Sequence, residues 1–327
     1  MIIKLKGVVI FEAIIIVVLL VVVINSYANK IKIENQSKEG LLSPRIYSGV
    51  LESKSFLIVN FAPLKEKIQS YIVKNNYNVS VYVENLRNGA FTGVNERTGF
   101  FPTSLNKLPV AILIMRKIEN GELSFDTKLE ITDFDRRESF GTLYKTKEKE
   151  LPLRILLEKL LKESDNTALS VLLRQLDTQD LQLILDYYGF DIELDYEKRQ
   201  KGTNLNLITP KAISNLFISL YFSTILEPKN SEYLLSLMKE TVFDIKKIAN
   251  LPDDVKVVHK FGENYYGTER FFHNCGIMYI SETRIFYCIM TKDLNEEEAV
   301  ETIGFIVNEI YTYVEGTREK LDTYKGS

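Results

Sequence analysis

The sequence predicts an α/β (α+β) fold. It consists of a five-stranded antiparallel sheet flanked by the first and last helices of the domain, with an all-helical lobe inserted and one N-terminal transmembrane helix ahead. Three observations carry this reading. Two strand-like runs near the start and three near the end are joined by short turns, and sequential hairpins pair antiparallel. Between them, 104–245 repeats its apolar residues at helical spacing. At the N-terminus, a long aliphatic run follows two lysines.

That run extends from Val8 to Ile24, after Lys4 and Lys6, and only Glu12 interrupts it. As a helix it is roughly 25 Å long, a little short of the hydrocarbon core, and flanking residues with some thinning complete a span. The lysines keep the N-terminus inside and predict that the rest is exported. Three fates are open. An uncleaved anchor is preferred. A cleaved secretory signal is the second, because Ser26-Tyr27-Ala28 places small residues where a signal peptidase reads. In the third, Lys6-Gly7 with Glu12 resembles the leader of type IV pilin-like proteins, cut after Gly7; an acid inside a membrane segment is expensive and usually functional. The expected organisation is an anchor or signal over 1–28, a polar linker over 29–48, and one domain over 49–327. In that domain the sheet lobe takes 49–102 and 246–327, and the helical lobe takes 103–245.

Within the domain, Leu64, Ile68, Tyr71 and Ile72 follow helical spacing after Pro63. Val79, Val81 and Val83 alternate in a strand over 78–86, Arg87-Asn88-Gly89 turns, and a second strand covers 90–94. A helix starting at Ser104, with Thr103 as its cap, carries Leu105, Leu108, Ile112 and Met115 inward and stops at Asn120-Gly121. Leu153, Leu156, Leu157, Leu160 and Leu161 form a stripe leading into Ser164, and Pro210 opens a later helix. Strands return at 255–261, 271–280 and 285–291. The last helix starts from an Asn295 cap with Glu298 in capping-box position, and buries Val300, Ile303, Ile306, Val307, Ile310 and Val314.

Composition narrows the function classes. The 41 Lys+Arg against 44 Asp+Glu leave no basic excess to argue for nucleic acid. Cys275 and Cys288 form no disulfide framework, and two buried thiols are the preferred reading, with a bridge left to register. No Cys or His spacing suggests a structural metal, and no cofactor is implied. His259 and His273 are the only histidines, and no G-x-S-x-G elbow is present, so a histidine-based serine hydrolase is disfavoured.

Three strings carry the chemistry: Ser104-Leu105-Asn106-Lys107, Ser164-Asp165-Asn166 and Lys260-Phe261-Gly262. Singly each is weak; Ser236-Leu237-Met238-Lys239 also fits S-x-x-K. A spacing of three puts Ser104 and Lys107 on one helix face, within about 5–6 Å at Cβ. A serine hydroxyl needs a base, and a lysine serves when burial and nearby positive charge lower its pKa; Lys260 supplies such charge. Ser164, 60 residues beyond Ser104, reads as a proton relay to the leaving group, and Asn166 as a hydrogen-bond partner of the substrate amide and of Lys107. Gly262, at a strand end, lets a substrate backbone come close to the strand edge.

In this order the strings resemble the penicillin-recognising serine hydrolases, namely class A β-lactamases and the related D-Ala-D-Ala peptidases. The resemblance covers about 55–320. Phe101-Pro102-Thr103-Ser104, Ser164-Asp165-Asn166-Thr167-Ala168, Ile208-Thr209-Pro210 and His273-Asn274-Cys275-Gly276-Ile277 followed by Thr291-Lys292 extend it. It implies that Ser104 is acylated with Lys107 as base or base partner. It further implies that Ser164 and Lys260 relay protons and bind the substrate carboxylate, and that the backbone N–H groups of Ser104 and Glu263 form an oxyanion hole. The implied partners are a small β-lactam or a peptidoglycan peptide, and the membrane.

The sequence departs from the family at two points. Phe261 stands where the family has a hydroxyl. Between Asn166 and Thr209 no glutamate stands four residues before an asparagine, and Glu193 and Glu197 read as surface acids. An acyl-enzyme is thus expected to hydrolyse slowly. Two functions follow: a membrane-tethered serine hydrolase acting through a Ser104 acyl-enzyme, or a non-catalytic relative of the same fold used for binding or in a surface or pilus-associated component.

Overall fold

The computed structural model describes residues 15–25, 60–194 and 206–324 of the 327-residue chain. The chain divides into two units, 1–56 and 57–327. In the first, residues 15–25 are helical and the side chains from Ile15 to Ile24 are exposed. Among the described residues no helix is long and apolar enough to cross a membrane. Of the run expected to form a transmembrane helix, 8–24, residues 15–24 are helical and residues 8–14 lie outside the described residues. Glu12, the linker 29–48 and the cleavage positions at Gly7 and Ala28 lie outside the described residues.

In the second unit, strands β1 (Asn78–Asn85), β2 (Phe91–Val94), β5 (Lys256–Tyr266), β6 (Glu269–Ile280) and β7 (Thr283–Lys292) form one sheet in the order β2-β1-β7-β6-β5. Every neighbouring pair is antiparallel. The expected five-stranded sheet is thus observed, with β5 at one edge.

Both faces of this sheet are covered, which is why the central strand β7 is apolar from Ile285 to Met290. Ile285, Tyr287 and Ile289 join one cluster with the helices Ala62–Asn75 and Glu296–Tyr324, through Leu64, Ile68, Ile303 and Ile306. The alternate residues Phe286, Cys288 and Met290 join a second cluster with Leu105, Leu108, Leu156, Leu160 and Phe217 of the helical region. A period of two divides one strand between two cores.

The last helix begins as its sequence implies. The Glu298 N–H donates to Asn295 Oδ1 at 2.9 Å, and the Asn295 N–H donates to the Glu298 carboxylate at 3.0 Å. Thr209 caps Pro210–Tyr221 by accepting from the Ala212 N–H at 3.1 Å.

Four expectations are corrected. First, β5 does not stop at 261. A two-residue turn with Gly267 at φ 62° carries the ladder on to a Tyr266–Glu269 pair, so Gly262 lies inside the strand. Second, the helical region is not all helix. Strands β3 (Lys128–Glu130) and β4 (Glu150–Pro152) pair within it, each too short to show a period of two in the sequence. Third, Thr103 is not a cap. Thr103–Asn106 is a 3-10 turn with no side-chain cap, and the α-helix starts at Lys107. Fourth, Cys275 and Cys288 are not two thiols but a disulfide. Register places them directly opposite on β6 and β7, on the face toward the helical region.

The C-terminal helix locks the sheet through side chains with no exposure. Ile306→Ala, at a fully buried position, should lower unfolding stability by about 2–5 kcal/mol, read from urea denaturation.

Candidate active site

The sequence from Pro102 to Lys107 turns tightly before it becomes a helix, and that turn sets the first two site residues. Ser104 lies in the 3-10 segment, 8% exposed, and Lys107 is the first α-helical residue, 1% exposed. Lys107 Nζ lies 3.0 Å from Ser104 Oγ. Ser164 follows the leucine-striped helix Leu153–Lys162 and takes a left-handed φ of 56°. That conformation, unusual for a residue with a Cβ, accompanies an inward side chain. Ser164 Oγ is 3.0 Å from Lys107 Nζ and 3.0 Å from Lys260 Nζ. One hydroxyl therefore bridges two buried amines.

Four oxygens crowd the Lys107 amine. Its nitrogen also contacts the Ser164 carbonyl oxygen at 2.5 Å and Asn166 Oδ1 at 2.7 Å. With the two serine hydroxyls this makes four partners, and an ammonium has only three N–H groups. A neutral amine also has three sites: it donates to the two obligate acceptors and its one lone pair takes a single serine hydroxyl at a time. Burial pushes the Lys107 pKa down to about 7, while Asp165 acts in the opposite direction. Lys260 is wholly buried and is pushed well below the ordinary lysine value by burial, then by Lys107. Its Nζ donates to Ser164 Oγ and to the Phe261 carbonyl at 2.7 Å.

Asp165 makes the scaffold of the second string. Its buried carboxylate accepts from the N–H groups of Thr142 (2.7 Å), Leu143 (2.9 Å) and Ala168 (2.8 Å). It thus caps the helix Asn166–Leu173 and ties down the loop before it. Gly141 at φ 99° makes this possible, since a Cβ there would lie 2.0 Å from Asp165 Oδ2. The loop then sets Ser139, whose Oγ accepts from Asn166 Nδ2 at 2.8 Å, with the amide oxygen left for Lys107. Asp165 stands in the second string without an assigned role, and Ser139 and Gly141 belong to none of the three strings. The Asp-before-helix pattern at 165 was a usable signal; Ser139 gave none.

Gly262 has a role other than the one the sequence suggested. A Cβ at 262 would lie 2.0 Å from Thr103 Oγ1 and 2.9 Å from the Ser104 backbone nitrogen. The close approach is made by the Thr103–Ser104 turn of this chain. Thr103 sits in this contact at φ 49°, and its buried Oγ1 has no hydrogen-bond partner among the described residues. Phe261 is 5% exposed and stacks on Phe243 at 5.5 Å, with Phe140 edge-on at 6.4 Å. The partly buried Glu263 follows, its carboxyl held above the usual range by burial and by Glu296.

Neither histidine competes for the role of base. His259 Nδ1 accepts from Asn274 Nδ2 at 2.9 Å, which leaves Nε2–H for Thr241 Oγ1 at 2.9 Å. Burial and Lys260 push His259 down to about 3. His273 donates Nε2–H to the Phe101 carbonyl at 2.9 Å, and burial pushes it down to about 4. The second S-x-x-K string stays apart: Ser236 Oγ donates to the Tyr233 carbonyl within its own helix. Glu193 is described but takes no part in the hydrogen bonds above, and Glu197 lies outside the described residues.

A family model described as the beta-lactamase enzyme family matches residues 63–314. Beta-lactamase VEB-1 of Pseudomonas aeruginosa is 27% identical over 216 residues, which is 60% of this chain and 70% of that protein. Among solved structures, TLA-3 extended-spectrum beta-lactamase superposes with a TM-score of 0.69 at 22% identity, covering 78% of this chain and 99% of its own. PBP-A superposes with a TM-score of 0.68 at 20% identity, covering 78% and 97%. A PBP-A variant captured as an acyl-enzyme with penicillin G gives 0.68 at 23% identity, covering 78% and 97%. At these identities the solved structures show a shared fold.

Asp165→Ala removes three charge-assisted acceptor contacts at once. It should cost about 3 kcal/mol or more of stability, measured by urea unfolding.

Proposed function

Since the chain belongs to the beta-lactamase enzyme family, we propose that it is a serine hydrolase in which Ser104 is the acylated nucleophile, acting on β-lactams or D-Ala-type cell-wall peptides. The observation that carries this is the buried triangle of Lys107 Nζ, Ser104 Oγ and Ser164 Oγ, with both hydroxyls 3.0 Å from one amine. Neutral Lys107 takes the Ser104 proton as Oγ bonds to the substrate carbonyl carbon. The backbone N–H groups of Ser104 and Glu263 receive the oxyanion; such donors are worth about 3–4 kcal/mol each. As the carbonyl reforms, the C–N bond breaks. The proton held on Lys107 reaches the departing nitrogen through Ser164 Oγ, which Lys260 keeps polarised. Asn166 Nδ2 holds the substrate amide, and water later cleaves the Ser104 ester. A structural relative trapped as a penicillin acyl-enzyme supports the first half.

No glutamate between Asn166 and Thr209 stands four residues before an asparagine, so the ester is long-lived in this reading. The lysine-led run from Val8 to Ile24 supports delivery of the domain to the outer side of a membrane.

The test is labelling with a fluorescent penicillin. The wild-type chain should label, and Ser104→Ala and Lys107→Ala should lose the label. Equal labelling of Lys107→Ala would remove the lysine base, and no label in any of the three would favour a non-catalytic binding protein. The pH profile gives a second test. The neutral amine is the competent form and its pKa is about 7, so acylation should rise about tenfold per pH unit below that value and level off above it. A rate flat from pH 5 to about 8 would contradict the scheme.

A further inference from the structure

The far end of the helix that begins at Lys107 borders a cavity of about 790 Å³. Leu113, Arg116 and Lys117 of that helix line it, together with residues of the helices Thr178–Tyr187 and Pro210–Tyr221. Arg116 stands roughly 13 Å along the axis from Lys107. None of Ser104, Lys107, Ser164 and Lys260 lines the cavity. Its size is that of a small-molecule site.

The polar groups of the lining fall into two sets. One is closed. Lys117 Nζ donates to the Glu122 carboxylate at 2.7 Å, and Asn120 Nδ2 donates to the same carboxylate at 3.2 Å. Asp180 adds its negative charge beside Lys117. The other set is open. Tyr188 is 3% exposed, and its hydroxyl has no hydrogen-bond partner among the described residues. A buried hydroxyl in that state is unfavourable unless a bound group completes it. Burial raises the Tyr188 pKa, and the neighbouring Ser219 and Arg116 oppose that rise. Arg116 itself has no ion-pair partner among the described residues.

Apolar side chains complete the lining. Leu183 and Tyr187, one turn apart on a single helix face, are 66% and 78% exposed. Leu113, Leu176, Ile184 and Ile225 join them. An exposed apolar pair on a cavity wall beside an unpaired cation and an unpaired donor suits a ligand with an apolar body and an acceptor-only head. A carboxylate accepts from both the Tyr188 O–H and the Arg116 guanidinium. A cationic head would leave the Tyr188 donor unmet and face Arg116 as a like charge.

We propose that this cavity is a binding site for a small amphipathic carboxylate, such as a medium-chain fatty acid, held at its head by Arg116 and Tyr188 and along its body by Leu183 and Tyr187. The site is separate from Ser104 and does not depend on acylation chemistry.

The test is titration calorimetry of the full-length chain with octanoate, and with 1-octanol as its uncharged counterpart. Octanoate should bind saturably at sub-millimolar concentration, and octanol about tenfold more weakly. Arg116→Gln and Tyr188→Phe should each weaken octanoate about tenfold, the scale of one hydrogen bond to a charged group. Tyr188→Phe should not lower stability in urea, because the hydroxyl it removes has no partner to lose; a role in packing alone predicts no change in binding. Ser104→Ala should bind octanoate as the wild type does. Absence of saturable binding at millimolar octanoate overturns the proposal. So does binding that either cavity variant leaves unchanged, equal binding of octanol, or binding that Ser104→Ala abolishes, which would put the ligand at the reacting centre.

Discussion

The site depends on two lysine amines being buried against one serine hydroxyl. An ammonium in a dry interior is unfavourable by several kcal/mol unless it is fully paired, and the usual outcome is loss of the proton. Here Lys107 and Lys260 lie on either side of Ser164 Oγ. Burial lowers both, and Lys107 further disfavours charge on Lys260, whereas the positive charge the sequence expected from Lys260 is not what lowers Lys107. The carboxylate best placed to restore that charge, Asp165, has its oxygens turned to three backbone N–H groups. Burial therefore outweighs the pull of Asp165 on Lys107, and the amine is brought down to about 7.

Such an arrangement has to be held by something stiffer than its own hydrogen bonds. Two residues adjoining the site carry a left-handed φ that a Cβ disfavours: Thr103 at 49° and Ser164 at 56°. Strain of this kind persists only where the surroundings over-determine it. For Thr103 the constraint is Gly262 pressing from β5. For Ser164 it is the continuity of the leucine stripe before it with the Asp165-capped helix after it. The Ser104 turn, the Ser164 turn and the β5 edge are therefore one mechanical unit, joined through a glycine in mid-strand and a capped helix.

The legible parts of this protein were those with local periodicity or a short fixed spacing. Alternation along 78–86 and the turn-separated strand runs at 255–261, 271–280 and 285–291 pointed to the sheet, and the Asn295–Glu298 spacing to the start of the last helix. A spacing of three gave the Ser104–Lys107 contact. What was not legible depends on register or on loop closure. The Cys275–Cys288 bridge follows from a pairing of β6 with β7 that no spacing in the chain reveals. Ser139 reaches Asn166 only because Gly141 lets its loop fold onto Asp165. The extension of β5 to Tyr266 rests on a turn at Gly267, and it moved Gly262 from the end of a strand to its middle.

That shift alters the meaning of the third string. A lysine, a hydrophobe and a glycine at a strand end are three separate features. Inside an edge strand, alternation binds them together. Lys260 is directed at Ser164, and Phe261 is directed at the aromatic group of Phe243 and Phe140. Gly262 leaves room for the nucleophile turn. Replacing the aromatic ring by a hydroxyl would add a donor, but it would also remove the packing that covers Lys260, whose Nζ lies 4.5 Å from the Phe261 ring centroid. Covering that amine keeps it neutral, and keeping it neutral lets Ser164 stand between two amines without a buried charge. The residue at 261 therefore acts on Ser164 through Lys260.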